Sequence, residues 1–263
     1  MISDKSRLFR LSLFLFGSFA IGYNLATAVH ELGHAIVIWA TGGTVARIVL
    51  HPFTWSYTYY SPSPGYPILT SWAGILFESL LALLLAALVW RWRQRSWALL
   101  CLVIAIMALA KGGLYASIDA LLQTGGDSTD LIWLGVPRAL VIGVGAVLVG
   151  IGIFLAVAAF RSIDFGADSS LIGRALVLEG GLLPYLLAIV AYQLVSSPQE
   201  IRMWGLYVAI GALIIFLIAV LSQWLESRFP ARPGDRADLP GWTSAWAVIV
   251  VGIAIVGIEL ILF

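Results

Sequence analysis

Residues 11–40 read LSLFLFGSFAIGYNLATAVHELGHAIVIWA, an apolar run that contains the pattern His30-Glu31-Leu32-Gly33-His34. A helix of about 20 residues is enough to cross a hydrocarbon core, so this longer run predicts a membrane span that tilts or protrudes. The run stops at Thr41-Gly42-Gly43, a glycine pair typical of a helix end. We therefore interpret the rest of the chain around this first span.

The composition indicates a polytopic helical membrane protein. The chain is 61% hydrophobic and 11% charged, whereas soluble domains have about 25% charged residues. A net charge of +1 gives no sign of a nucleic-acid partner. Cys101 is the single cysteine, which excludes an internal disulfide and a cysteine-based metal site.

Apolar runs divide the chain into about seven spans, and the segment between the first two has a different pattern. Residues 44–67 are rich in Val, Ile, Thr, Tyr and Trp and alternate in polarity at their start, which favours a strand or hairpin. The fourth span should bend near Gly135 and Pro137. The predicted spans cover about residues 11–40, 68–90, 97–122, 131–160, 171–194, 203–224 and 242–263.

The predicted fold is therefore an all-α polytopic membrane protein with a short β-hairpin or re-entrant segment after the first of about seven helices. No internal repeat or soluble insertion is visible, so we expect a single membrane domain over residues 1–263. Its core would cover about residues 11–160, with additional spans in 171–263.

Basic residues predict the orientation of this domain. Eleven of the 15 Lys and Arg residues precede the first span or fall in connectors on the same side of the membrane: Lys5, Arg7, Arg10, Arg91, Arg93, Arg95, Arg161, Arg174, Arg228, Arg232 and Arg236. The positive-inside rule then places the amino terminus in the cytoplasm. His30 and His34 would lie in the outer half of the first span.

The HExxH pattern is typical of a zinc site. It holds two of the three histidines in the chain, and helical residues at i and i+4 share one face. Two such imidazoles can bind one Zn²⁺ while Glu31 acts as general base. Ionisable residues are costly inside a bilayer and usually functional there, which favours a metal site over two buried polar residues that match a short pattern by chance.

A third zinc ligand must come from elsewhere in the chain, because catalytic zinc usually has three protein ligands. The loop between the third and fourth spans, residues 125–130, lies on the same side as His34 and offers Asp127 and Asp130. Both aspartates also suit the acidic start of a helix, which would be a purely structural role. His51 is a further candidate on the same side. The sequence leaves these three open.

Two further ionisable residues, Glu78 and Lys111, fall at similar depths in the second and third spans. We expect them to pair, since an isolated charge in hydrocarbon is costly. The pair could serve only to join two spans, or it could take part in catalysis.

Several of these stretches together resemble the site-2 protease family of intramembrane zinc metallopeptidases, most closely its small bacterial branch without PDZ or CBS domains. They are His30–His34, then residues 41–52 (TGGTVARIVLHP), then residues 71–74 (SWAG). The resemblance covers about residues 20–140, and it implies a bacterial cytoplasmic membrane. It implies Zn²⁺ held by His30, His34 and an aspartate on a later span, for which Asp127 is the match. The Leu-Asp-Gly motif of better-known members is absent, as is their Asn-containing motif that positions substrate.

The function that the resemblance implies is hydrolysis of peptide bonds in membrane-embedded or membrane-proximal proteins, with Glu31 as general base. The expected partners are membrane lipids and such a protein substrate, and no nucleic acid. One alternative is a non-proteolytic relative that serves as a metal-stabilised scaffold or accessory subunit, which would need the histidines but not Glu31. A transporter is disfavoured because the two halves of the chain show no repeat.

Overall fold

A computed structural model describes residues 2–54, 56–61, 65–90, 96–163, 171–196, 201–228 and 240–262. Its elements are α1 Ile2–Ala40, β1 Val45–Val49, β2 Tyr57–Tyr60, α2 Pro67–Val89, α3 Ser96–Leu122, α4 Asp127–Trp133, α5 Arg138–Ser162, α6 Leu171–Ser196, α7 Ile201–Arg228 and α8 Trp242–Leu262. The predicted helical membrane fold with a hairpin after the first span is confirmed.

Six helices in the described part of the chain are long and apolar enough to cross a membrane, namely α1, α2, α3, α5, α6 and α8. The helix α7 is 28 residues long and corresponds to the sixth predicted span. The chain is thus an integral membrane protein.

The helix α1 is the centre of the bundle. It packs against α2, α3, α6 and α8, and its Phe14 and Leu15 are almost fully buried in the main core cluster. The helix ends where Gly42 adopts a φ of +83° and the Gly43 N–H donates to the Ile38 carbonyl at 2.8 Å. Glycine suits this left-handed conformation because it has no Cβ.

The helices α1 and α2 run side by side at very close range. A Cβ on Gly33 would lie 2.7 Å from the Ala73 carbonyl oxygen and 2.9 Å from the Phe77 Cβ. The glycine inside the HExxH pattern therefore lets the backbone of α2 approach the two histidines.

The fourth predicted span is two helices. The short helix α4 ends before Gly135, which has a φ of +93°, and α5 begins immediately after Pro137. The predicted bend is therefore a complete break, because the left-handed glycine ends α4 and the proline ring starts a new helix. The break leaves α4 as a separate short helix, with Asp127 as its first residue.

The β-hairpin lies near the carboxyl end of α1, as α4 does. Its strands pair antiparallel, with Arg47 opposite Tyr59 and Val49 opposite Tyr57. The single hydroxyl hydrogen of Thr58 is shared between the Glu31 carbonyl oxygen, at 3.0 Å, and the Glu31 Oε2, at 2.8 Å, and this contact fixes β2 against the HExxH segment of α1. The basic segments 91–95 and 229–239, on which the predicted orientation depends, lie outside the described residues, and the orientation stays a prediction.

Candidate metal centre

Three side chains from two distant parts of the chain meet at one point. The Nε2 atoms of His30 and His34 lie 2.8 Å and 3.3 Å from the same oxygen, Oδ2 of Asp127. One ligand atom from each residue falls within 4.8 Å of the others. Both histidines are buried and Asp127 is half-buried. Two imidazoles and a carboxylate are a donor set that suits catalytic Zn²⁺.

The opposite nitrogens of both rings face oxygens of α2. The His34 Nδ1 lies 2.7 Å from the Thr70 carbonyl, and the His30 Nδ1 lies 3.5 Å from the Glu78 Oε2. Metal-bound histidines usually donate their second N–H to a carboxylate or a backbone carbonyl. Both Nε2 atoms are thus turned toward Asp127 by contacts that fit a metal site.

A glycine on α2 makes room for the His30 ring. A Cβ added to Gly74 would overlap the imidazole of His30. Thr70, Gly74 and Glu78 are spaced four residues apart and so lie on one face of α2. This face is shaped to support the two histidines of α1.

The loop that carries Asp127 is held by a residue that sequence reasoning missed. The Asp119 carboxylate is fully buried and accepts hydrogen bonds from the backbone N–H groups of Thr124, Gly126 and Thr129 at 2.9–3.2 Å. The hydroxyls of Thr124 and Thr129 also donate to it, at 2.7 and 2.9 Å. Asp119 therefore fixes the backbone on both sides of Asp127.

The charge state of Asp127 suits a ligand. Burial acts to raise the pKa of its carboxyl, but the neighbouring His34 and His30 imidazoles outweigh burial and bring the pKa well below its ordinary value. Asp127 is thus ionised at neutral pH, as a metal ligand must be.

The other two candidate ligands lie apart from this cluster, among the residues described. Asp130 is exposed, three residues further along α4, and its pKa is raised by partial burial and by Asp127. The His51 Nδ1 accepts from the Phe53 N–H at 3.1 Å, and its ring lies 4.9 Å from that of Tyr192. The structure brings Asp127 to the histidines, and not Asp130 or His51.

Glu31 lies beside the cluster, but its carboxylate is bonded to the hairpin and not to the cluster residues. Its Oε2 accepts from the Thr58 hydroxyl at 2.8 Å, and only 5% of the residue is exposed. The strand β2 thus orients the carboxylate of the candidate general base. The sequence placed Glu31 in the pattern but gave no sign of Thr58, because that contact depends on how the hairpin folds back onto α1.

An apolar cavity opens beside Glu31 and His30. Its volume is about 180 Å³, and it lies between α1, α3, α5, α6 and α7. Polar groups gather at one end, where Glu31 and His30 meet Lys111 and Tyr115, and the remaining wall is largely Leu, Ile, Val, Met and Phe. The site is therefore reached from an apolar space inside the bundle.

The helix α6 anchors the loop that borders the cavity. The Tyr185 hydroxyl donates to the Pro52 carbonyl and the Gln193 amide donates to the Phe53 carbonyl, both at 2.9 Å. Thr54 and Ser56 of the same loop line the cavity next to Glu31. Sequence reasoning assigned no role to α6 here, because two polar residues within an apolar span do not reveal their distant partners.

The predicted pair of Glu78 and Lys111 is confirmed. The Lys111 Nζ lies 3.3 Å from the Glu78 Oε2, and Glu78 is fully buried. The lysine belongs to α3 and lines the cavity, so the pair joins α2 to α3 next to His30.

Comparison with models of known protein families gives a match. The family model for Peptidase M50B-like proteins matches residues 18–178, which include residues 18–40 of α1, the hairpin, the Asp127 loop and the start of α6. No curated protein and no solved structure matches the chain. Since the match covers more than half of the 263 residues and includes the whole His–His–Asp cluster, the chain belongs to the Peptidase M50B-like group of the site-2 protease family.

Proposed function

We propose that this protein is an intramembrane zinc metallopeptidase that hydrolyses peptide bonds of membrane-embedded or membrane-proximal proteins. The observation that carries the proposal is the convergence of His30, His34 and Asp127 within 4.8 Å, next to Glu31 at the polar end of an apolar cavity. Membership of a metallopeptidase family supports the same reaction class.

In this proposal His30, His34 and Asp127 hold one Zn²⁺. When bound, the ion polarises the scissile carbonyl and makes a water acidic enough to lose its proton near neutral pH. Three protein ligands are the number that catalytic zinc sites usually have, so these residues would supply the protein's share of the coordination. Glu31 is no ligand in this scheme, since its carboxylate is held by Thr58 instead.

Glu31 carries the proton. Because Oε2 is held by the Thr58 hydroxyl, Oε1 is the oxygen that takes the proton from the attacking water. The same carboxyl then gives that proton to the departing amide nitrogen, which returns Glu31 to its starting state. The low exposure of Glu31 keeps this transfer out of bulk water.

The hairpin and the cavity would hold the substrate. A two-stranded sheet presents an edge on each side, and an extended peptide can add to such an edge through backbone hydrogen bonds. The strand β2 contacts Glu31 directly, so a peptide on its edge would run past the base. The apolar cavity suits the apolar side chains of a substrate taken from the bilayer.

The test is cleavage of an intramembrane substrate by the purified protein in lipid. We expect Glu31→Gln to retain zinc and fold while losing nearly all cleavage, because an amide cannot accept the proton. Thr58→Val, which removes only the hydroxyl that orients Glu31, should lower kcat by a smaller factor. Loss of zinc in Glu31→Gln would show that Glu31 is a ligand and contradict the mechanism. Equal cleavage by Glu31→Gln and wild type would show that Glu31 is not the base, and zinc-loaded wild type without cleavage would favour a non-proteolytic scaffold.

A further inference from the structure

The Glu78–Lys111 pair also contacts the metal-binding candidate His30, which an ion pair that only joins α2 to α3 would not need to do. The same oxygen that faces Lys111, Glu78 Oε2, also lies 3.5 Å from the His30 Nδ1. Among the residues that the structure describes, the buried His30 Nδ1 has no hydrogen-bond partner within bonding geometry, and this carboxylate oxygen is the acceptor that faces it. The carboxylate of Glu78 is therefore the group placed to accept its proton.

The packing around Glu78 holds the carboxylate in that position. Glu78 is fully buried, and a Cβ added to Gly112 would overlap its Oε1. A larger residue at 112 would displace the carboxylate from His30. On the other side of the metal cluster, the equivalent contact of His34 is made by a backbone carbonyl, at 2.7 Å from Thr70.

We propose that Glu78 is a positioning residue for the metal centre, with Lys111 as its counter-charge. By accepting the Nδ1 proton, Glu78 selects the tautomer of His30 in which the Nε2 lone pair faces Asp127. Lys111 compensates the negative charge, which would otherwise be costly at this depth in the bundle. The proposal deepens the proposed function and rests on zinc binding by His30.

A purely structural pair predicts a different outcome when both charges are removed together. Two apolar residues of similar volume often replace a buried ion pair at little cost in stability. If the pair only joins α2 to α3, the double variant Glu78→Met/Lys111→Met should bind zinc as tightly as wild type. If Glu78 positions His30, the double variant folds but His30 lacks its acceptor, and the metal centre stays impaired.

The experiment measures zinc affinity by competition with a chelator, together with the visible spectrum of the Co²⁺-loaded protein, in full-length chain in lipid nanodiscs. We expect Glu78→Met/Lys111→Met to bind zinc about 10–100-fold more weakly than wild type and to shift the Co²⁺ bands. Glu78→Gln keeps one acceptor oxygen, so its zinc affinity should lie between those of wild type and the double variant. This single variant tests the proposal even if the double variant does not fold. Glu259→Met, at a buried carboxylate of α8, is the matched control and should leave both readouts unchanged.

Two results would overturn the proposal in different ways. Wild-type zinc affinity and an unchanged Co²⁺ spectrum in the folded double variant, or in Glu78→Gln and Glu78→Met alike, would show that the pair only joins two helices. Wild-type protein that binds no zinc would instead refute the proposed function, and the positioning role with it.

Discussion

Asp119 shows how a single buried carboxylate can position a ligand that it does not touch. It accepts five hydrogen bonds from Thr124, Gly126 and Thr129, and these residues flank Asp127 on both sides. A carboxylate can accept all of them with its two oxygens, whereas an amide would turn its NH₂ group toward at least one donor, such as the Thr129 N–H that now bonds to Oδ2. The side chain at position 119 therefore determines whether the Asp127 loop keeps its conformation.

We expect Asp119→Asn to weaken zinc binding about tenfold or more, because each buried donor left unsatisfied costs about 1–3 kcal/mol. The measurement is zinc affinity by chelator competition. Asp130→Asn is the matched control, since Asp130 is an exposed carboxylate on the same short helix. An affinity equal to wild type in Asp119→Asn would mean that other contacts hold the loop.

At the scale of elements, the site depends on the close approach of α1 and α2. The face of α2 formed by Thr70, Gly74 and Glu78 meets both histidines, and Gly33 allows that face to come near. The separation of these two helices is therefore a property on which the metal centre depends.

Gly33→Ala should destabilise the protein by about 1–3 kcal/mol, because the added methyl meets the backbone of α2 and cannot be accommodated by a side-chain movement. Gly150→Ala in α5 is the matched control. A Cβ there meets no atom within 4 Å, and alanine favours a helix over glycine by about 0.5–1 kcal/mol. Thermal unfolding in detergent measures both. A midpoint for Gly33→Ala at or above that for Gly150→Ala would contradict the close packing.

The sequence reveals those parts of the site that depend on local spacing. His30, Glu31 and His34 lie within one helical turn and a half, so their shared face follows from helix geometry alone. Asp127 could be proposed because connectors on the same side of a membrane are brought to one end of the bundle. The choice between Asp127 and Asp130 could not be made, because it depends on where α4 begins and how it turns.

Contacts between distant segments could not be predicted from the sequence, because they too depend on how the chain folds. Thr58 reaches Glu31 only because the hairpin folds back onto α1, and Gln193 reaches Phe53 across 140 positions. Asp119 lies in an apolar span without a recognisable motif, and its partners follow from the loop conformation. An aspartate within an apolar run, a few residues before the glycine pair 125–126, is the one sequence signal that could have indicated it.

At the scale of the whole molecule, the site and the membrane orientation are linked. The hairpin and the Asp127 loop both meet α1 near its carboxyl end, so they share one side of the bilayer. If the basic segment 91–95 is cytoplasmic, as the positive-inside rule predicts, both connectors are exposed on the opposite side.

Single cysteines test this orientation in a Cys101→Ala background. We expect Tyr66→Cys and Gln123→Cys to react with a membrane-impermeant thiol reagent added outside intact cells, since both positions are exposed. Gln94→Cys should react only after the cells are opened. Labelling of positions 66 and 123 from opposite sides would be incompatible with a site that both connectors share.

The most direct test of the metal centre is the zinc content of the purified protein, measured by elemental analysis after loading and removal of loose metal. We predict about one Zn²⁺ per chain for wild type and Glu31→Gln. His30→Ala, His34→Ala and Asp127→Ala should lose the ion, whereas Asp130→Ala and His51→Ala keep it. Wild-type protein without zinc, or an Asp127→Ala variant with the wild-type content, would contradict a centre built from His30, His34 and Asp127.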